Sequence, residues 1–185
     1  MHGIETSEPG VGDRNQDITM MIRKEQPSDV AAIDTLTERA FAPMAFSSGT
    51  EATIIKALRQ TGRLALSLVA EEEGTVVGHV AFSSVTIGET MEEGWFGLGP
   101  ISVEPIRQRV GIGRALVQTG LDALRQAGAK GVVLIGNPTI YSRYGFESDG
   151  RLTYGSLATR LVQRIVFTGA PPVGELHFAD AFEQK

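Results

Sequence analysis

The residues best suited to chemistry in this chain lie in one block. Leu98, Gly99, Pro100, Ile101, Ser102 and Val103 read as the end of a strand, and a basic, Gly-rich turn (Gln108, Arg109, Val110, Gly111, Ile112, Gly113) then opens a helix. Glycine lets a backbone turn tightly and approach a ligand closely, and the first N–H groups of a helix lack internal partners. Aimed at one point, with the helix dipole behind them, such groups make a pyrophosphate site. Arg107, Arg109 and Arg114 are placed to add charge for phosphates. Two other phosphate motifs fail here. A P-loop needs Gly-Lys-Ser/Thr where the chain has Gly113, Arg114 and Ala115, and a dinucleotide fingerprint needs a small residue where Leu116 stands. A Gly-x-Gly helix start taken alone is as often structural as ligand-binding.

These residues must be held by a framework, and the rest of the chain supplies one. A strand-like segment at residues 18–24 is followed by a helix start at Pro27, Ser28 and Asp29, with Val30, Ile33, Leu36 or Thr37, and Ala40 at helical spacing. Thr50 precedes a second helix over 51–60, whose Ile54, Ile55 and Leu58 share a face and which stops at Gly62. Residues 64–71 and 76–87 form a hairpin across Gly74, and 95–103 a further strand with Gly97, Gly99 and Pro100 inside it, a bulge signal. The helix over 111–126 carries Leu116, Gly120, Ala123 and Ala127 on one stripe, widened by Val117, Leu121 and Leu124. Residues 132–135 are wholly apolar, as a central strand covered on both faces should be. Weaker strands are expected at 163–167 and 175–178. The order β-α-α-β-β-β-α-β with a mixed tail predicts an α/β sandwich on a mixed sheet.

Bulk properties narrow the function. The chain has 185 residues, 42% hydrophobic and 21% charged, enough for one domain with a core. Residues 1–17 carry no apolar stretch and read as a disordered, solvated tail, with a single domain over 18–185. A formal net charge of −5 without a polybasic run argues against nucleic acid and suits a cationic substrate. The chain has no cysteine, and its three histidines are dispersed, so no metal centre is expected. No run reaches membrane-spanning length, and a cytoplasmic protein is the default reading.

Gln-x-x-Gly-x-Gly after an Ile-x-Val strand resembles the acetyl-CoA pyrophosphate loop of the GNAT N-acetyltransferase superfamily. Asn137, Tyr141, Gly145 and Phe146 resemble that family's Asn…Tyr-x-x-x-Gly-Phe element. More narrowly, the runs from Gly78, from Leu98 and from Tyr141 resemble the bacterial YhbS-like branch. The resemblance is strong over 95–146 and loose towards both ends. It implies a GNAT-type fold, with helices on both faces of a mixed sheet splayed between the fourth and fifth strands. It implies acetyl-CoA as donor, with backbone groups of Ile101, Ser102 and Val103 pairing the pantetheine arm. Gln108, Arg109, Val110, Gly111, Ile112, Gly113 and Arg114 would hold the pyrophosphate, and Asn137 would contact the pantetheine. Tyr141 matches the tyrosine that protonates the departing thiolate. A free tyrosine has pKa about 10 and a thiol about 8.5, and that mismatch of ~1.5 units costs roughly 2 kcal/mol. The structural alternative is packing of Tyr141 beside Tyr144 and Phe146.

The acceptor half is less legible. An amine with pKa about 10.4 is well under ~1% neutral at pH 7, so a base or a depressed pKa is needed. Residues 95–103 hold no acid. Glu51, opening the second helix, is the leading base or amine anchor, with a favourably placed helix-start acid as the plain alternative. His79 is a second candidate, although a hydrogen-bonded sheet histidine is the safer reading; an ordered water is a third. Phe41, Met44 and Phe46 read as a lid over a modest pocket, which favours a small-molecule primary amine. A peptide acetyltransferase and a non-catalytic acetyl-CoA sensor are the other readings, and dimerisation is left open.

Overall fold

Apolar runs separated by glycines build a sheet whose middle is covered on both sides. The computed structural model describes residues 19–45, 47 and 49–182; the segment expected as a tail, and Phe46 of the expected lid, lie outside the described residues. Strands β1 (Met20–Lys24), β2 (Leu64–Glu72), β3 (Thr75–Ile87) and β4 (Glu92–Val103) are antiparallel neighbours in that order. β5 (Gly131–Ile135) joins β4 in parallel, and β7 (Val162–Val166) pairs antiparallel with β5. Two short strands were not foreseen as a pair: β6 (Leu152–Thr153) lies beside β8 (Gly174–His177), and β8 extends the β3 edge beyond the start of β2. The sheet is mixed, as expected.

Helices α1 (Val30–Phe41) and α2 (Glu51–Gln60) cover one face, where Ile33 and Ile55 pack with Val69 and Ala81. α3 (Ile112–Gln126) covers the other, with Leu116, Val117, Leu121 and Leu124 against Val80, Phe82, Val132 and Leu134. Ala127, placed on the apolar stripe from spacing, is exposed, because the helix has ended one residue before it.

The feature that matters for function lies between β4 and β5. They pair only where Trp95, Phe96 and Gly97 face Gly131, Val132 and Val133. Beyond Gly97 the β4 register against β3 slips between Leu98 and Ile101, around Gly99 (φ 131°) and the cis Gly99–Pro100 bond. The pairing of the two strands ends there, which leaves a gap between their far ends at the splay expected between the fourth and fifth strands. β4 begins at Glu92, three residues before the expected start, so the strand does contain acids. They sit at its far end, where Glu92 accepts from Lys130 Nζ at 2.9 Å.

Candidate active site

The gap edge of β4 is open to an extended ligand. Glu104 N–H donates to the Val77 carbonyl. Backbone groups alternate edges along a strand, so Ser102 faces β3 while Ile101 and Val103 turn their N–H and C=O into the gap. The Val103 carbonyl accepts from the Gln108 side chain at 3.2 Å, so Gln108 braces the turn rather than reaching outward. The turn itself is left-handed twice, at Arg109 (φ 66°) and Gly111 (φ 98°), the latter being the N-cap of α3. A non-glycine residue at Gly111 would be strained. Ala115 N–H makes the first intrahelical bond, to Gly111 at 3.0 Å, leaving the N–H groups of Ile112, Gly113 and Arg114 without helical partners.

Of the three arginines offered for phosphate, Arg107 is already committed: it donates to Glu72 at 2.5 Å. Arg109 and Arg114 are exposed and form no ion pair among the described residues. A β4 end without a β5 partner, a row of helix N–H groups and two guanidinium groups without ion pairs among the described residues fit an acyl-CoA, with its amide-bearing arm and pyrophosphate.

Tyr141 closes α4 (Pro138–Tyr141), a single turn just past β5. Asn137 caps it, accepting from Thr139 N–H at 3.0 Å through Oδ1, which leaves its amide N–H groups for other partners. The Tyr141 ring centroid is 6.3 Å from those of both Tyr144 and Phe146. Burial, and secondarily Tyr144, raises the Tyr141 hydroxyl above the usual tyrosine value. The phenol is therefore protonated at neutral pH, yet a weaker acid than a free tyrosine, so the mismatch with an exposed thiol exceeds the value for free groups. A thiolate forming in the same apolar surroundings becomes more basic for the same reason, which offsets the difference.

Glu51 lines a cavity of about 330 Å³ between α1 and α2. Thr37, Glu38, Phe41 and Met44 form its other walls, and Ser47 donates to both Glu51 carboxylate oxygens at 2.9 Å. Thr37 ties this cavity to the gap strand, accepting from Ser102 Oγ at 3.0 Å. Ser47 went unnoticed in the sequence, since a serine in an irregular loop carries no signal; Thr37 was visible only as a polar residue on an apolar stripe. A larger cleft of about 710 Å³ opens among Arg63, Ser84, Trp95 and His177. It touches the start of β4 rather than the splayed end and includes no residue of the Gly-rich turn.

His79 does not line either cavity. It is fully buried, with Nε2 2.8 Å from Ser67 Oγ, whose single hydrogen goes to Glu25 at 2.5 Å. Nε2 is therefore the protonated nitrogen, and Nδ1 is buried without a partner among the described residues. Arg59 completes the group, donating to Glu25 at 2.8 and 3.0 Å. Burial pushes the His79 pKa down to about 4. His79 is thus a neutral sheet histidine without access to an acceptor, which removes it as the base.

No group of His, Cys, Asp and Glu among the described residues is arranged to hold a metal, and no helix among them is long and apolar enough to cross a membrane. Residues 31–145 match the acetyltransferase (GNAT) family. The chain is 43% identical over 130 residues to an uncharacterized N-acetyltransferase, YhbS, of Escherichia coli K12, covering 69% of this chain and 74% of that protein. A GNAT-family acetyltransferase from Brucella melitensis, crystallised with acetyl-CoA, is 46% identical with TM-score 0.80, covering 89% of this chain and 99% of that one. The E. coli YhbS structure with CoA superposes with TM-score 0.82 at 31% identity, over 97% of each chain. Sequence, splayed sheet and Gly-rich turn agree, and the chain belongs to the GNAT family of N-acetyltransferases.

Proposed function

We propose that the protein transfers the acetyl group of acetyl-CoA to a primary amine of a small molecule by direct attack in a ternary complex. Acetyl-CoA supplies the activated thioester. The neighbours crystallised with acetyl-CoA and CoA support it as the donor, and the unpaired end of β4 and the start of α3 support its lying along Ile101, Ser102 and Val103, with the pyrophosphate on residues 109–114 and Asn137 beside the arm. The single observation that carries the acceptor class is the cavity of about 330 Å³ walled by Thr37, Phe41, Met44, Ser47 and Ala52, with Glu51 inside it and no Lys or Arg among the described residues of its lining. A small volume with a carboxylate and an aromatic wall suits a compact cation.

In this reading Glu51 holds the ammonium and takes its proton, directly or through one water, while Ser47 fixes the carboxylate. The amine nitrogen bonds to the acetyl carbon, backbone N–H groups at the Gly99 bulge steady the oxyanion, and the C–S bond breaks as Tyr141 gives its proton to sulfur. Glu51→Gln keeps the Ser47 contact and removes the charge. It should lower kcat/KM for the amine by about 10-fold or more while leaving acetyl-CoA affinity unchanged, read by steady-state thiol release and calorimetric titration. An unchanged kcat/KM assigns Glu51 to the helix start alone.

A further inference from the structure

Gln163 is a polar residue set among apolar ones, and the mechanism above gives it no part. It lies on β7 opposite Leu134 of β5, is 1% exposed, and so shares the face of the sheet that holds Leu134, Ile165, Phe146 and Tyr141. Its Nε2 donates to the Gly136 carbonyl at 2.9 Å, while its Oε1 is buried without a partner among the described residues. A half-satisfied amide in such surroundings is worse for stability than a methionine or leucine of similar size. The donor half must therefore be sought in what it holds.

It holds the peptide on which Tyr141 rests. Gly136 N–H donates to the carbonyl of Leu161, the residue just before β7, at 2.9 Å, so Gly136 is held there at its N–H and by Gln163 of β7 at its C=O. The Tyr141 ring lies directly over Gly136: a Cβ there would be 2.4 Å from Tyr141 Cε2. Any shift of the Gly136 peptide moves the surface that fixes the ring, and α4 is a single turn with little rigidity of its own. Of the aromatic rings beside it, Tyr144 lies in the short turn that follows Tyr141, while Phe146 is buried in the core.

We propose that Gln163 is a positioning residue for acetyl transfer: by clamping Gly136 it sets where the Tyr141 hydroxyl stands relative to the departing sulfur. The inference rests on the reading of Tyr141 as the acid. Its test is a double-mutant cycle in the full chain with Gln163→Met and Tyr141→Phe, scored by single-turnover transfer and by acetyl-CoA titration. Methionine keeps the volume and loses the donor; Gln163→Leu serves in its place if melting shows Gln163→Met misfolded. The expected result is a fall in rate of about tenfold for Gln163→Met with acetyl-CoA affinity held within about twofold, since a misplaced reacting group costs rate rather than binding. In the Tyr141→Phe background the same change should have no further effect, because the hydroxyl it positions is gone. A wild-type rate for Gln163→Met beside a slow Tyr141→Phe overturns the clamp alone. An equal loss in both backgrounds also overturns it, marking Gln163 as merely structural, and a normal rate for Tyr141→Phe overturns both readings together.

Discussion

Tyr141→Phe is expected to slow single-turnover acetyl transfer by about 10²–10³-fold with little change in acetyl-CoA affinity or melting temperature. The phenylalanine ring keeps the contacts with Tyr144, Phe146 and Gly136 that seat the residue. Only the hydroxyl is lost, and with it the group that in the proposed mechanism protonates the leaving sulfur. Burial raises the Tyr141 pKa, so the wild-type acid stays loaded through neutral pH and the rate should fall only when the solution is made alkaline enough to ionise it. In Tyr141→Phe that alkaline limb should vanish. A near-normal rate with an unchanged pH profile excludes Tyr141 from the proton transfer and leaves it a packing residue.

The second large effect is on stability in acid. His79 titrates at about 4 in the folded chain against an ordinary value of 6.5, because burial, outweighing the attraction of Glu25, disfavours its charged form. Between those two values the unfolded chain holds a proton that the folded chain refuses. Stability from this site is therefore complete above about pH 6.5 and falls as pH drops towards 4, by about 3 kcal/mol in all. Glu25 acts in the same sense at lower pH: burial raises its pKa, but the hydrogen bonds from Arg59 and Ser67 outweigh that and leave it below the usual range. Asp29, held low by Arg23, does likewise. Denaturant unfolding at pH 7, 6 and 5 (values bracketed by about 4 and 6.5 and the neutral plateau) should show the slope. His79→Gln, which retains a donor for Ser67 and cannot titrate, should flatten it. The same slope in both proteins would show that His79 is already neutral when unfolded or charged when folded.

What could be read from sequence follows a physical divide. Local signals were legible. The left-handed Gly111, the unpaired start of α3, the apolar stripe of Leu116 and Leu124, and the Gly99–Pro100 interruption of β4 are each encoded within a few residues. The central position of β5 was legible too, because a strand buried on both faces must be apolar throughout. Features made by distant segments were not. The strand expected at 175–178 stands as β8, but the two-residue β6 and the pairing of β8 with it and with β3 carried no local signal. The commitment of Arg107 to Glu72, the Ser67–Glu25–Arg59 group around His79 and the clamp of Gln163 on Gly136 join residues 27 to 42 positions apart. No periodicity announces such contacts. The Glu51 cavity is illegible for the same reason: its described walls come from α1, α2 and residues between them, and only the packed helices define it.

The central claim is that a small amine in the Glu51 cavity receives the acetyl group. Its most direct measurement is thiol release from acetyl-CoA by the full chain, run against a panel of small primary amines and a parallel panel of peptides with free N-termini or lysines, with products weighed by mass spectrometry. Release should depend on a small amine and saturate with it, giving a product heavier by one acetyl group. Tight acetyl-CoA binding with no release on any acceptor, the behaviour of a sensor, would contradict it, as would acetylation of peptides alone.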